Sequence, residues 1–244
     1  MHLLLAEDAL IDAQTMAMLQ SHDWRVREAG FWKIKEDKSI EVRKALIALV
    51  DRENGVTMEA YHGIGAEYKY GEDYVSYHDQ LTQVVEENFN QFHDAAALKV
   101  LLHAAYNPDS IFARWLGEQG PDILQYTPEM LKSAVDIDRN SAVAVVAHLI
   151  SAFDSGKVSL SHAQLEEAHN QLVQTAKNPD MFTRAVAAEC LGQAGRPSDI
   201  TFLRKMAASD PGFDPQNSNY PARDAAVKAI AELQARTHQK LQHP

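Results

Sequence analysis

Four short stretches of this chain repeat one three-part spacing, which constrains the fold more than any other feature. A capping side chain stands four residues before an arginine, and an aliphatic residue follows the arginine by seven. Asp23, Arg27 and Ile34 obey it, as do Ser39, Arg43 and Val50. Asp180, Arg184 and Leu191 repeat it, and so do Asn219, Arg223 and Ile230. Each part has a reason on a helix. Asp, Asn or Ser just outside the first turn accepts from backbone N–H groups that lack an intrahelical partner. The aliphatic residue lies two turns beyond the arginine on the same face and packs inward. The arginine, one turn in, is placed to bridge to an acid of a neighbouring helix pair. Small residues after it (Ala29-Gly30, Ala187-Ala188, Ala225-Ala226) let a paired helix approach closely.

The rest of the chain has helical periodicity, with Gly and Pro between the periodic segments. The spacing predicts helices over 9–20, 24–35, 40–53, 72–92, 95–105, 110–118, 141–153, 161–176, 179–194, 197–208 and 221–235. Pro121 and Pro128 open two short ones. Asp94 reads as a cap for 95–105, and Asn107-Pro108-Asp109-Ser110 as a break and restart. Asn54-Gly55 reads as a helix stop, and residues 55–71, with four glycines and three tyrosines, as a loop. Val143, Val145, Val146, Leu149 and Ile150 make 141–153 apolar on nearly every side, the mark of a central, covered helix. No run alternates with period two, so no strand is expected. The expected fold is all-α, with about ten to twelve helices joined by short turns, stacked in pairs or bundled.

The repeated spacing resembles the HEAT-repeat family, whose units are paired helices with Asp or Asn and Arg near the start of the second helix. Arg184 and Arg223 stand one such repeat apart, and Gly192 to Leu203 resembles an inter-helix turn and the next helix. The likeness covers 21–54 and 178–235 and fades between 55 and 135. It implies an α-α superhelix of antiparallel helix pairs, a HEAT-like solenoid over 1–244 as a single domain with an atypical insertion at about 55–97. It also implies a scaffold that binds other macromolecules. Iron-binding relatives of the deoxyhypusine hydroxylase type use His-Glu dipeptides, which this chain lacks. Repeat-built DNA glycosylases need a basic groove.

Composition narrows the partner. Charged residues make up 23% of the chain and the formal net charge is −11. That disfavours phosphate backbones and anionic membranes and suits a basic or neutral protein or peptide partner. No stretch approaches the length of a membrane span. The compartment is expected to be cytoplasmic by default, or exported if a leader has been removed. Cys190, the single cysteine, lies in an apolar helical run and reads as a small core residue.

The most unusual segment is Tyr61 to Ala97. Tyr61, Tyr68, Tyr70, Tyr74 and Tyr77 are five of the eight tyrosines, and Glu72, Asp73, Asp79, Glu86, Glu87 and Asp94 stand where no Lys or Arg does. Tyrosine is favoured at interfaces and carboxylates steer cations, so Tyr61, Tyr68, Tyr70, Glu72, Asp73, Tyr74 and Tyr77 form the candidate binding surface. The competing reading packs the tyrosines inward and leaves the acids in water. His62, His78, His93 and His103 lie in the same region, but no His pair has the one-turn spacing of a metal site, so no metal or cofactor is expected. No nucleophile elbow, phosphate loop or dinucleotide fingerprint occurs. The chain therefore reads as a non-enzymatic scaffold; the alternative is a metal-dependent or other enzyme with a site between helices near 62–110.

Overall fold

A computed structural model describes residues 11–61, 69–103 and 111–242, with the side chains of 58–61 and 240–242 left aside. The described residues are all-α: twelve helices, two short 3₁₀ turns, and one isolated antiparallel bridge, Asp214 with Asn219. None of these helices is long and apolar enough to cross a membrane. The chain forms two compact units, 1–104 and 105–244.

In the first unit, α1 (Ala13–Leu19) pairs with α2 (Trp24–Ile34). Then α3 (Ile40–Tyr61), α4 (Glu72–Phe92) and α5 (Ala95–His103) pack on one another, and α2 also leans on α4. Phe31, Leu46, Val50, Leu81 and Leu101 fill the space between them. One expectation fails here: Asn54-Gly55 does not stop α3, which runs on through Tyr61. Asn54 is used sideways. Its Nδ2 donates to the Val100 carbonyl at 2.8 Å and its Oδ1 faces His78 Nε2 at 3.1 Å. Those tertiary bonds hold the helix through Gly55, offsetting the roughly 1 kcal/mol that a mid-helix glycine costs. The expected loop at 55–71 is therefore helical at 55–61 and again at Lys69 and Tyr70; 62–68 lies outside the described residues.

In the second unit, α6 (Ile111–Gly117) and α7 (Thr127–Met130) both pack on α8 (Asp136–Asp154). This long helix buries residues all round its circumference, as its apolar sequence predicts. Beyond it come α9 (His162–Thr175), α10 (Met181–Ala194), α11 (Ile200–Ser209) and α12 (Pro221–Gln242). Helix α10 packs between α8 and α12, α9 touches α8 and α10, and α11 lies on α12. The α10–α12 contact is close because Gly192 has no side chain. A Cβ there would come within 2.8 Å of the Ala229 Cα. Cys190 is buried.

The arginines of the repeated spacing act alike in both units. One terminal nitrogen turns back to carbonyls five or six residues upstream: Arg27 to Ser21 and His22, Arg43 to Lys38, Arg184 to Asn178 and Pro179. The rest of the guanidinium reaches a carboxylate further along the chain. Arg27 takes Glu53, Arg43 takes Asp94 at 2.8 Å, and Arg184 grips both oxygens of Asp210 at 2.7 Å. Asp23, Ser39 and Asp180 accept from first-turn amides as expected. Asn219 does not follow them, since its backbone pairs with Asp214 in the isolated bridge. Arg223 donates Nε to the Asp210 carbonyl at 2.6 Å. Arg139 belongs to the same set: it donates back to the Ser133 carbonyl and forward to Thr183, with Asp180 at 3.5 Å. The sequence hid it because its helix opens at Val135, which has no capping side chain. Val146, seven residues on and fully buried, was the signal that remained.

Candidate binding surface

Two of the seven candidate residues are not surface at all. Tyr74 and Tyr77 are 0% and 1% exposed. Their register explains it: with His78, Leu81, Val85 and Phe89 they fall on the single face of α4 that meets the core. The two hydroxyls stand 3.1 and 3.2 Å from the carboxylate oxygens of Glu53, itself fully buried and held by the Arg27 guanidinium. Trp24 covers the pair, edge-on to Tyr74 at 5.4 Å and stacked on Tyr77 at 6.2 Å. A buried carboxylate is tolerable only with its lone pairs satisfied, and here one arginine and two phenols satisfy them. Burial and then the Glu53 charge push the Tyr77 hydroxyl well above the ordinary tyrosine range, so it stays a donor.

The His78 ring is buried beside this cluster. Burial pulls its pKa down to about 4, so the ring is neutral at pH 7. Asn54 spends its amide N–H on Val100, which leaves Oδ1 as the acceptor and places a proton on His78 Nε2.

The remaining candidates sit differently. Tyr61 and Tyr68 have side chains outside the described residues. Tyr70 is half-buried with its ring 5.0 Å from that of Tyr74. Glu72 and Asp73 are exposed in the first turn of α4, where the helix dipole favours them. They begin an acidic outer face. Glu72, Asp79 and Glu86 recur every seven residues, about 10 Å apart along the axis, with Asp73 and Glu87 beside them. Among the described residues none of these five is ion-paired. Partial burial raises the pKa of Asp79; burial and then the Glu87 charge raise that of Glu86. Tyr74 and Tyr77 thus go in, while Glu72, Asp73, Asp79 and Glu87 stay out.

A concavity lies in the other unit, an open groove of about 630 Å³ between α7 and α9. Leu131, Ala163, Glu167, Asn170, Gln174 and Asn178 are among the residues that line it. Glu166 at its edge is tied to Arg196 at 2.6 Å. Among the described residues no three His, Cys, Asp or Glu side chains converge on a metal-sized point. In comparisons with family models, curated proteins and solved structures, nothing matches this chain.

Proposed function

We propose that this all-α chain is a HEAT-like stack of helix pairs that serves as a non-enzymatic protein-binding scaffold, with the outer face of α4 as its contact for a basic partner segment. The carrying observation is the row Glu72–Asp79–Glu86: carboxylates at about 10 Å intervals on one face, none ion-paired among the described residues, two with raised pKa. Carboxylates in that state gain from an incoming cation what they lack from their own chain. Lysines or arginines two helical turns apart match the interval. The stacked-pair reading draws support from the series α8–α10–α12 and from the arginine that recurs with the same back-and-forward hydrogen bonds.

The non-enzymatic part rests on where the most altered titrating groups point. Tyr77 and His78 face the core and are bonded to Glu53 and Asn54. Stoichiometric iron, zinc or manganese in the purified protein would overturn it. The binding surface is tested by a triple variant, Glu72→Gln, Asp79→Asn and Glu86→Gln. Its unfolding midpoint is expected to stay unchanged, while proteins captured from the native host by the wild type, and released from it by salt, are lost. Capture that survives all three changes sinks the α4 surface.

A further inference from the structure

In most loops polar side chains face water and rings turn inward, because burying apolar area is what stabilises a fold. The segment joining α11 to α12, residues 210–220, is built the other way round. Its acids are buried: Asp210 receives Arg184 and the Gly212 amide, and Asp214 accepts from the Gln216 amide at 2.9 Å and the Asn217 side chain at 2.8 Å. Its rings are outside, with Phe213 47% and Tyr220 36% exposed, in contact at 5.1 Å.

Nor is the segment loose. The bridge between Asp214 and Asn219 closes it, and Pro211, Pro215 and Pro221 stiffen it. Gly212 presses so close to α10 that a Cβ there would lie 2.6 Å from the Met181 Cβ. A scaffold of hydrogen bonds therefore holds two rings in water, which costs free energy unless something covers them.

Further apolar side chains are exposed on the two helices that the segment meets. Phe182, next to Met181, is 45% exposed, and Val227, two turns along from Tyr220, is 59% exposed. Between Tyr220 and Val227 stands Arg223. Its guanidinium carbon lies over the Tyr220 ring, 3.9 Å from the centroid, and its Nε donates to the Asp210 carbonyl. Its two terminal nitrogens make no hydrogen bond among the described residues. Arg184 balances Asp210, and Asp214 is satisfied within the segment. The fork of Arg223 is therefore a cation whose terminal N–H groups are unused among the described residues, although its charge also acts on the Asp210 carboxylate; Asp224 and Lys228, opposite in sign, are exposed beyond it. A planar guanidinium held over an exposed ring is the composition of an interface anchor, and the ordering entropy has been paid before binding.

We infer that Phe213, Tyr220, Arg223 and Val227 form a docking site for a partner-protein segment that carries an apolar side chain beside a carboxylate. The carboxylate takes the two free nitrogens of Arg223 as a fork, and the apolar side chain covers the two rings and Val227. This site prefers the charge opposite to that favoured by the acidic face of α4, so the two inferences stand or fall separately.

The test is a selection of short random displayed peptides on the full chain, counter-selected on the double variant Phe213→Ser and Val227→Ser. Both positions are exposed, so the variant is expected to keep its thermal midpoint. Enriched peptides should share Asp or Glu next to an aromatic or aliphatic residue. A synthetic copy of the best should lose about 30-fold or more in affinity to the double variant and to Arg223→Lys, which keeps the charge and loses the fork. Failure to enrich any peptide over the counter-selection overturns the site. So does enrichment of peptides without an acid, or affinity unchanged in Arg223→Lys.

Discussion

Each unit contains an arginine bonded to a carboxylate 26 residues further on, Arg27 with Glu53 and Arg184 with Asp210. Both arginines use Nε and a terminal nitrogen on the carboxylate and send the other terminal nitrogen back to two upstream carbonyls. The surroundings differ. Glu53 lies mid-helix behind Tyr74, Tyr77 and Trp24, so rings seal the pair from water. Asp210 lies in a connecting segment, and the nearby rings of Phe213 and Tyr220 face outward. One ion-pair device thus serves two ends: in the first unit it lets a core contain a charge, and in the second it shapes a segment that displays apolar groups.

The sharpest way to break that comparison is to remove the arginines. Arg27→Met leaves Glu53 buried without its cation and is expected to cost about 3–5 kcal/mol in urea unfolding. Arg184→Met is expected to cost less, about 2 kcal/mol, because Asp210 keeps the Gly212 amide and sits nearer to water. Equal losses would mean that the seal of rings contributes nothing.

Acid separates the units next. The folded pKa of His78 lies below its unfolded value of about 6.5, so the unfolded chain binds the extra proton between about pH 6.5 and 4. Stability contributed by the neutral ring is present above that window and is lost as pH falls through it, by about 2–3 kcal/mol from pH 7 to 4.5. In His78→Gln that loss should vanish, which unfolding curves at the two pH values will show.

Smaller effects sharpen the contrast of rings. Tyr77→Phe removes a hydroxyl from Glu53 and should cost about 1–2 kcal/mol. Phe213→Ser should move stability by no more than about 0.5 kcal/mol, since its ring is half in water. The smallest effect belongs to the α4 face. Asp79→Asn and Glu86→Gln remove carboxylates that burial disfavours, so stability should hold or rise within about 0.5 kcal/mol by thermal melting.

The helices were legible because capping residues and apolar spacing act within one or two turns. Asp23, Ser39 and Asp180 open helices where the spacing places them, and the covered helix around Val143 to Ile150 is central to its unit. What failed was settled by partners distant in sequence. Asn54 looks like a stop until Val100 and His78 claim its side chain. The tyrosines of α4 show a subtler failure. Tyrosine count and nearby charge suggested a surface, yet register carried the answer: Tyr74 and Tyr77 share a stripe with Leu81 and Val85, and Glu72, Asp79 and Glu86 fall elsewhere on the helix. The 210–220 segment had no such signal, because irregular backbone has no period to tell inside from outside.

The seal over Glu53 also has an optical consequence. Trp24, one of three tryptophans, is enclosed against two tyrosine rings, whereas Trp32 is exposed and Trp115 is half-buried against Phe112. Emission from an enclosed indole reddens when water reaches it. The chain thus contains its own spectroscopic gauge of the first unit, and Trp24→Phe would silence it.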